Sequence, residues 1–179
     1  RSSDLKQYAE AITYYELYRE GYAKNYSDND DTYALVLFKL ARCYFNTGNY
    51  LKATEWGEKE AAVTLSLYGK NDEDFATSMQ NLSVYYSRLG DNAKAVDCGR
   101  TAVETFKASL GEQHPKYAQA LSNLARYLSD QGLYGEAVRT ETMAMQVLKT
   151  VQGDNSEAYV SSLNNLSVYC SQLGDAAKA

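Results

Sequence analysis

Lys39, Asn81, Asn123 and Asn165 recur with a constant period of 42. Three positions further on stand Arg42, Val84, Arg126 and Val168, and four beyond those stand Asn46, Arg88, Asp130 and Gln172. On a helix such spacings fall on one face. An asparagine offers both a donor and an acceptor, which is what the main chain of a peptide needs. An arginine pairs with carboxylates, bidentately where geometry permits. Lys39, Arg42, Asn81, Arg88, Asn123, Arg126 and Asn165 are therefore candidates for a peptide-binding groove. The competing reading is a plain solvated face. Three asparagines in one column weigh against it, because asparagine is a mediocre helix former.

The acids are distributed differently. Glu55, Glu58, Asp97, Glu104, Glu136 and Glu141 fall on other segments, and Asp130 is the exception within the cationic face. An acidic chain that gathers its cations on one side is expected to attract a negative segment or a terminal carboxylate.

Reactive constellations are scarce. His114 is the single histidine and precedes Pro115, the single proline. Proline suits the first turn of a helix, so His114 is expected at or beside a helix N-cap; nothing nearby would orient it as a base. Cys43, Cys98 and Cys170 are too far apart in sequence for a zinc site, and as an odd, scattered set they suggest reduced core thiols. No phosphate-binding glycine loop and no nucleophile elbow occurs. No enzymatic activity, metal or cofactor is expected.

The same period predicts the helices that carry this face. Gly48, Gly90, Gly132 and Gly174 keep that spacing without insertion or deletion. In register with them run Leu40, Leu82, Leu124 and Leu166, then Ala41, Ser83, Ala125 and Ser167, then Ala53, Ala95, Ala137 and Ala179. A second glycine column falls at Gly69, Gly111 and Gly153. Such a period marks a solenoid of stacked supersecondary units. Between glycines, apolar residues recur at spacings of three and four, as in Tyr117, Ala120, Leu121, Leu124 and Leu128, which marks amphipathic helices. The pattern predicts helices near 8–25, 31–47, 50–68, 73–89, 92–109, 115–131, 134–151 and 157–173. The small columns let paired helices approach closely.

Residues 81–95 and 165–179 are identical at 12 of 15 positions, which points to duplication of a two-repeat unit. The first helix is crowded with Tyr8, Tyr14, Tyr15, Tyr18, Tyr22 and Tyr26. They serve either helix packing or an interface. Trp56 is expected in half-exposed packing. The face of Leu163, Leu166, Tyr169 and Cys170 is expected to be partly uncovered.

Composition sets outer limits. The chain has 179 residues, 45% of them hydrophobic, and a net charge of −5. Nucleic-acid binding is not expected, because that affinity is dominated by phosphate neutralisation. No apolar run is long enough to suggest a membrane span.

The pattern resembles the tetratricopeptide repeat. The resemblance is carried by Asn123-Leu124-Ala125-Arg126-Tyr127 and by Gln131-Gly132-Leu133-Tyr134-Gly135-Glu136-Ala137. The period of 42 and the linker Leu110-Gly111-Glu112-Gln113-His114-Pro115 are similar to the kinesin-light-chain variety. Asn92 and Ala176 depart from the tyrosine two residues after the glycine, and Glu60 departs from the alanine of the second helix. The resemblance implies an all-α, right-handed superhelix of antiparallel helix pairs. It also implies a protein-interaction module in which the asparagine column clamps bound peptides. The expected organisation is one array over 1–179: a partial repeat 1–27, repeats 28–69, 70–111 and 112–153, and a partial repeat 154–179. Expected partners are a protein or peptide, acidic in character, with no nucleic acid or membrane; the expected location is the cytoplasm. The alternative is a self-associating or regulatory segment of a larger protein, joined through exposed repeat ends.

Overall fold

A computed structural model describes residues 2–177, which places Ala179 of the alanine column outside the described residues. Eight helices follow one another: α1 (Ser2–Asn25), α2 (Asp31–Asn46), α3 (Tyr50–Tyr68), α4 (Glu73–Leu89), α5 (Asn92–Leu110), α6 (Pro115–Asp130), α7 (Tyr134–Gln152) and α8 (Glu157–Ala176). No strand occurs among the described residues. Close helix packing runs between chain neighbours, from α1 on α2 to α7 on α8. The fold is an all-α solenoid of antiparallel helix pairs.

Local chemistry sets the helix ends. Asp30, Asn49, Asp72, Asp91 and Ser156 accept a backbone N–H of the first turn, satisfying a donor with no intrahelical partner. His114 does the same through Nδ1, 3.2 Å from the Lys116 amide, directly before Pro115. The expected structural role of that histidine is borne out. At the other end, Gly90 takes φ 91° and ψ 4°, and the Asp91 amide bonds back to the Tyr86 carbonyl at 3.0 Å. This left-handed turn suits glycine.

The fourth glycine behaves differently. Helix α8 runs through Gly174 to Ala176, and Gly174 is not among the glycines with positive φ. The earlier turns are rewarded by a following helix whose Ala53, Ala95 or Ala137 is fully buried; no described helix follows α8.

The core is a line of small-residue contacts flanked by large ones. Ala41, Ser83 and Ala125 are at most 1% exposed, opposite Ala53, Ala95 and Ala137 at 0%. Leu40, Leu82 and Leu124 are buried beside them. The period extends to single bonds. Tyr44 donates to Glu16, and one repeat later Tyr86 donates to Glu58. Lys52 and Lys94 each lie 4.9 Å from the centre of those two rings. In α1, Tyr8, Tyr15 and Tyr22 are half-buried, whereas Tyr14 and Tyr26 are 72% and 78% exposed. Trp56 is half-buried under Lys59 and Arg19. Cys43 and Cys98 are core thiols, but Cys170 is exposed, a departure from the expected core role. Leu163 is exposed and Leu166 half-buried, while Tyr169 is buried.

Glycine also permits close helix contact. A Cβ at Gly57 of α3 would meet the Tyr85 ring at 3.0 Å and Leu82 at 3.2 Å. At Gly99 of α5 the nearest atoms, on Leu124 and Tyr127, are at 3.3 Å. Alanine improves a helix interior by about 1 kcal/mol over glycine, and overpacking costs about 1–3 kcal/mol. Gly57→Ala is expected to destabilise by about 1 kcal/mol net, and Gly99→Ala to stay within about 0.5 kcal/mol of the parent. Urea denaturation of both variants checks this; indistinguishable midpoints would contradict it.

Candidate functional site

Helices α2, α4, α6 and α8 carry the residues of the candidate groove. Contacts between alternate helices tie them side by side. The Tyr127 hydroxyl of α6 accepts from Ser83 of α4 at 3.1 Å, and Ser129 of α6 donates to Gln172 of α8 at 2.7 Å. Lys116 of α6 pairs with Glu73 of α4 at 2.5 Å.

The structure puts Lys39, Asn81, Asn123 and Asn165 on successive members of this set, each half-buried. Arg42, Arg88 and Arg126 are exposed. Arg42 lies 5.4 Å from the Phe38 ring centre, and Lys39 lies 5.9 Å from the same ring. Arg126 lies 4.5 Å from the Tyr127 ring centre and 3.4 Å from Ser87 Oγ, with Asp130 at 3.9 Å. Arg42 and Arg126 therefore rest against aromatic faces with their guanidinium groups at the surface. Arg88 ends α4, away from the asparagine positions along its helix.

Spacing alone misses two carboxylates at the groove. Glu60 of α3 is 8% exposed, and its Oε1 accepts from Ser78 of α4 at 2.6 Å. Burial pushes its carboxyl up to about 7; Ser78 opposes the shift, and the nearby Asp74 adds to it. Glu141 of α7 is fully buried. Its Oε1 accepts from Ser122 of α6 at 3.1 Å and from Asn165 of α8 at 3.4 Å. Glu141 stands on α7, a second helix of its pair as expected for the acids, and from there it bonds to the candidate asparagine Asn165. Glu141 stands in the column of Gly57 and Gly99, which lies against the neighbouring first helix. That column is the signal in the sequence, as the alanine column is for Glu60.

Charge is consequently divided along the groove. In α2 and α4 the N-terminal halves hold Asp31 and Asp74 beside Glu60, and the C-terminal halves hold Arg42 and Arg88; α6 carries Lys116 at its start and Arg126 with Asp130 near its end. Among the described residues, no three His, Cys, Asp or Glu side chains gather so as to hold a metal ion, and no helix is long and apolar enough to cross a membrane.

No curated protein matches the chain. Among solved structures, the nearly identical TPR-like repeats of a kinesin-light-chain-like protein from Podosopora anserina align over 95% of this chain and 81% of that one, at 20% identity and TM-score 0.84. BtubC (BKLC) from P. vanneervenii aligns over 94% and 67%, at 20% identity and TM-score 0.82. A Rap protein complexed with Competence and Sporulation Factor aligns over 98% and 47%, at 17% identity and TM-score 0.66. These likenesses are of fold. A tetratricopeptide-repeat family model matches residues 34–108 and again 74–150. With repeat period, helix pairing and that match in agreement, the chain belongs to the tetratricopeptide-repeat family.

Proposed function

We propose that this chain is a non-catalytic scaffold that holds an extended segment of a partner protein in the groove of α2, α4, α6 and α8. The observation that carries this reading is the column Asn81, Asn123 and Asn165, repeated on three neighbouring helices and half-buried at each. Each amide can donate to and accept from a peptide main chain. The exposed Arg42, Arg88 and Arg126 supply cations for acidic side chains of that segment. The single array of about four and a quarter repeats provides the length. The Rap relative, described in complex with Competence and Sporulation Factor, supports a binding role for such an array.

The test is the double variant Asn123→Ala with Arg126→Ala, measured against an acidic peptide library at two salt concentrations. Each buried hydrogen bond lost is expected to weaken binding by about 1–3 kcal/mol with little loss of folding stability. Higher salt should weaken the parent complex. Unchanged affinity in the folded double variant would exclude this groove.

A second reading, self-association through the repeat ends, is favoured by one observation. Helix α8 exposes Val160, Leu163, Val168 and Leu173, each by at least 41%. Molar mass measured against concentration by light scattering separates the two; a monomer at high concentration removes the second.

A further inference from the structure

Two cavities open on the groove, and they are one cavity repeated two units apart. The first, of about 240 Å³, is walled by Phe38 of α2, Thr64 and Tyr68 of α3, and Ser78 and Asn81 of α4. The second, of about 330 Å³, is walled by Ser122 of α6, Leu148 and Gln152 of α7, and Ser162 and Asn165 of α8. Each of these residues of the second stands two full periods after its counterpart in the first. In the repeat between them, α5 carries Phe106 at the position of Thr64 and Leu148, and Phe106 is packed into the core at 2% exposure. The two-repeat duplication visible in residues 81–95 and 165–179 therefore has a physical counterpart.

A buried carboxylate lines the first cavity, and another lies behind the wall of the second, each at a different repeat position. Glu60 lines the first, at the position held by Ala102 and Ala144 in later repeats. Glu141 lies behind Ser122 and Asn165 of the second, at the position held by Gly57 and Gly99. Among the described residues, Glu141 Oε2 and the Ser162 Oγ lining that cavity are both buried without a hydrogen-bond partner. Asp31 and Asp74 also line the first cavity, and neither lysine nor arginine does. In the second, Lys116 stands at the rim and pairs with Glu73. A desolvated carboxylate is stabilised by a cation that also donates hydrogen bonds.

We propose that the two cavities are paired subsites for the cationic side chains, lysine or arginine, of one extended partner segment. The inference rests on the groove reading and adds its spacing rule. Two first-helix steps of about 10 Å each separate the cavities. That distance is spanned by about six extended residues. The segment presents two cations about six residues apart to the cavities, while its carboxylates face the arginine strip.

The experiment uses fluorescein-labelled, serine- and threonine-rich dodecapeptides carrying two lysines at separations of two to nine residues. Control sets carry one lysine, two arginines, or norleucine in place of lysine. Binding is read by anisotropy. Tightest binding is expected near a separation of six, with the single-lysine peptide about ten-fold weaker. Arginine pairs are expected to follow the same separation rule. Glu60→Gln and Glu141→Gln are each expected to reduce the pair peptide to the single-lysine level, with circular dichroism confirming the fold. Asn123→Ala with Arg126→Ala should weaken every peptide by a similar factor, norleucine controls included. Insensitivity to both glutamine variants, equal binding by norleucine peptides, or no binding by any lysine or arginine peptide at millimolar concentration overturns the subsites. If the glutamine variants act and the Asn123/Arg126 variant does not, the subsites stand and the asparagine groove falls.

Discussion

Leu124→Ala is expected to lower the unfolding free energy by about 2–5 kcal/mol, whereas Leu166→Ala, in the same column one repeat later, should lose less than half as much. Leu124 is 4% exposed, close to Gly99 and within a core cluster shared with Tyr127, Leu128 and Ala137. Its removal leaves a cavity between two repeats that rigid neighbouring helices close only in part. Leu166 is half-buried on α8, so fewer contacts disappear with it. In a linear stack, stability is a sum over neighbouring units. Central losses therefore exceed those at α8. Urea denaturation of both variants checks the contrast. Equal losses would show that the core does not thin toward α8.

Glu60→Gln is expected to stabilise the protein above pH 7 by up to about 3 kcal/mol, an advantage that vanishes below about pH 4.5. Burial raises the Glu60 carboxyl from 4.5 to about 7. The folded state therefore holds this proton more tightly than the unfolded chain does. The contribution of Glu60 is fully present below pH 4.5 and is lost as pH rises through 7. The groups facing it are Asp31 of α2, Tyr68 of α3, and Asp74 and Tyr85 of α4. None is altered in the variant, so their own titrations largely cancel in the difference. Glutamine keeps the shape and does not ionise. Denaturant midpoints at pH 4, 6 and 8 measure the difference; parallel curves for parent and variant would contradict the buried, protonatable state.

The helices are legible in the sequence because one period governs every column. Helices α2 to α7 begin and end within about a residue of the spacing-based ranges. The first and last described helices are less legible. Lys6-Gln7-Tyr8 aligns with Gly48-Asn49-Tyr50, which predicts a helix starting at residue 8. Helix α1 instead begins at Ser2, because Lys6 stands where the glycine would be and no left-handed turn interrupts the chain. Gly174 shows the converse: glycine permits the turn but does not compel it. At the groove, the asparagine and arginine columns can be placed on one face from spacing alone. The buried acids cannot, because a second-helix glutamate looks solvent-bound until the neighbouring first helix is in place. Glu141 is covered by residues 19 and 24 positions away, Ser122 and Asn165, and only its place in the Gly57 and Gly99 column records that contact.

The binding claim is most directly tested by the asparagine side-chain amide signals in a ¹⁵N-correlated NMR spectrum of the protein, recorded while a captured partner segment is added. The groove account predicts saturable shifts of the Asn81, Asn123 and Asn165 side-chain amides, with Glu55 of α3 and Asp97 and Glu104 of α5 unmoved. Shifts confined to those acidic residues, with the three asparagines unchanged at saturation, would contradict it.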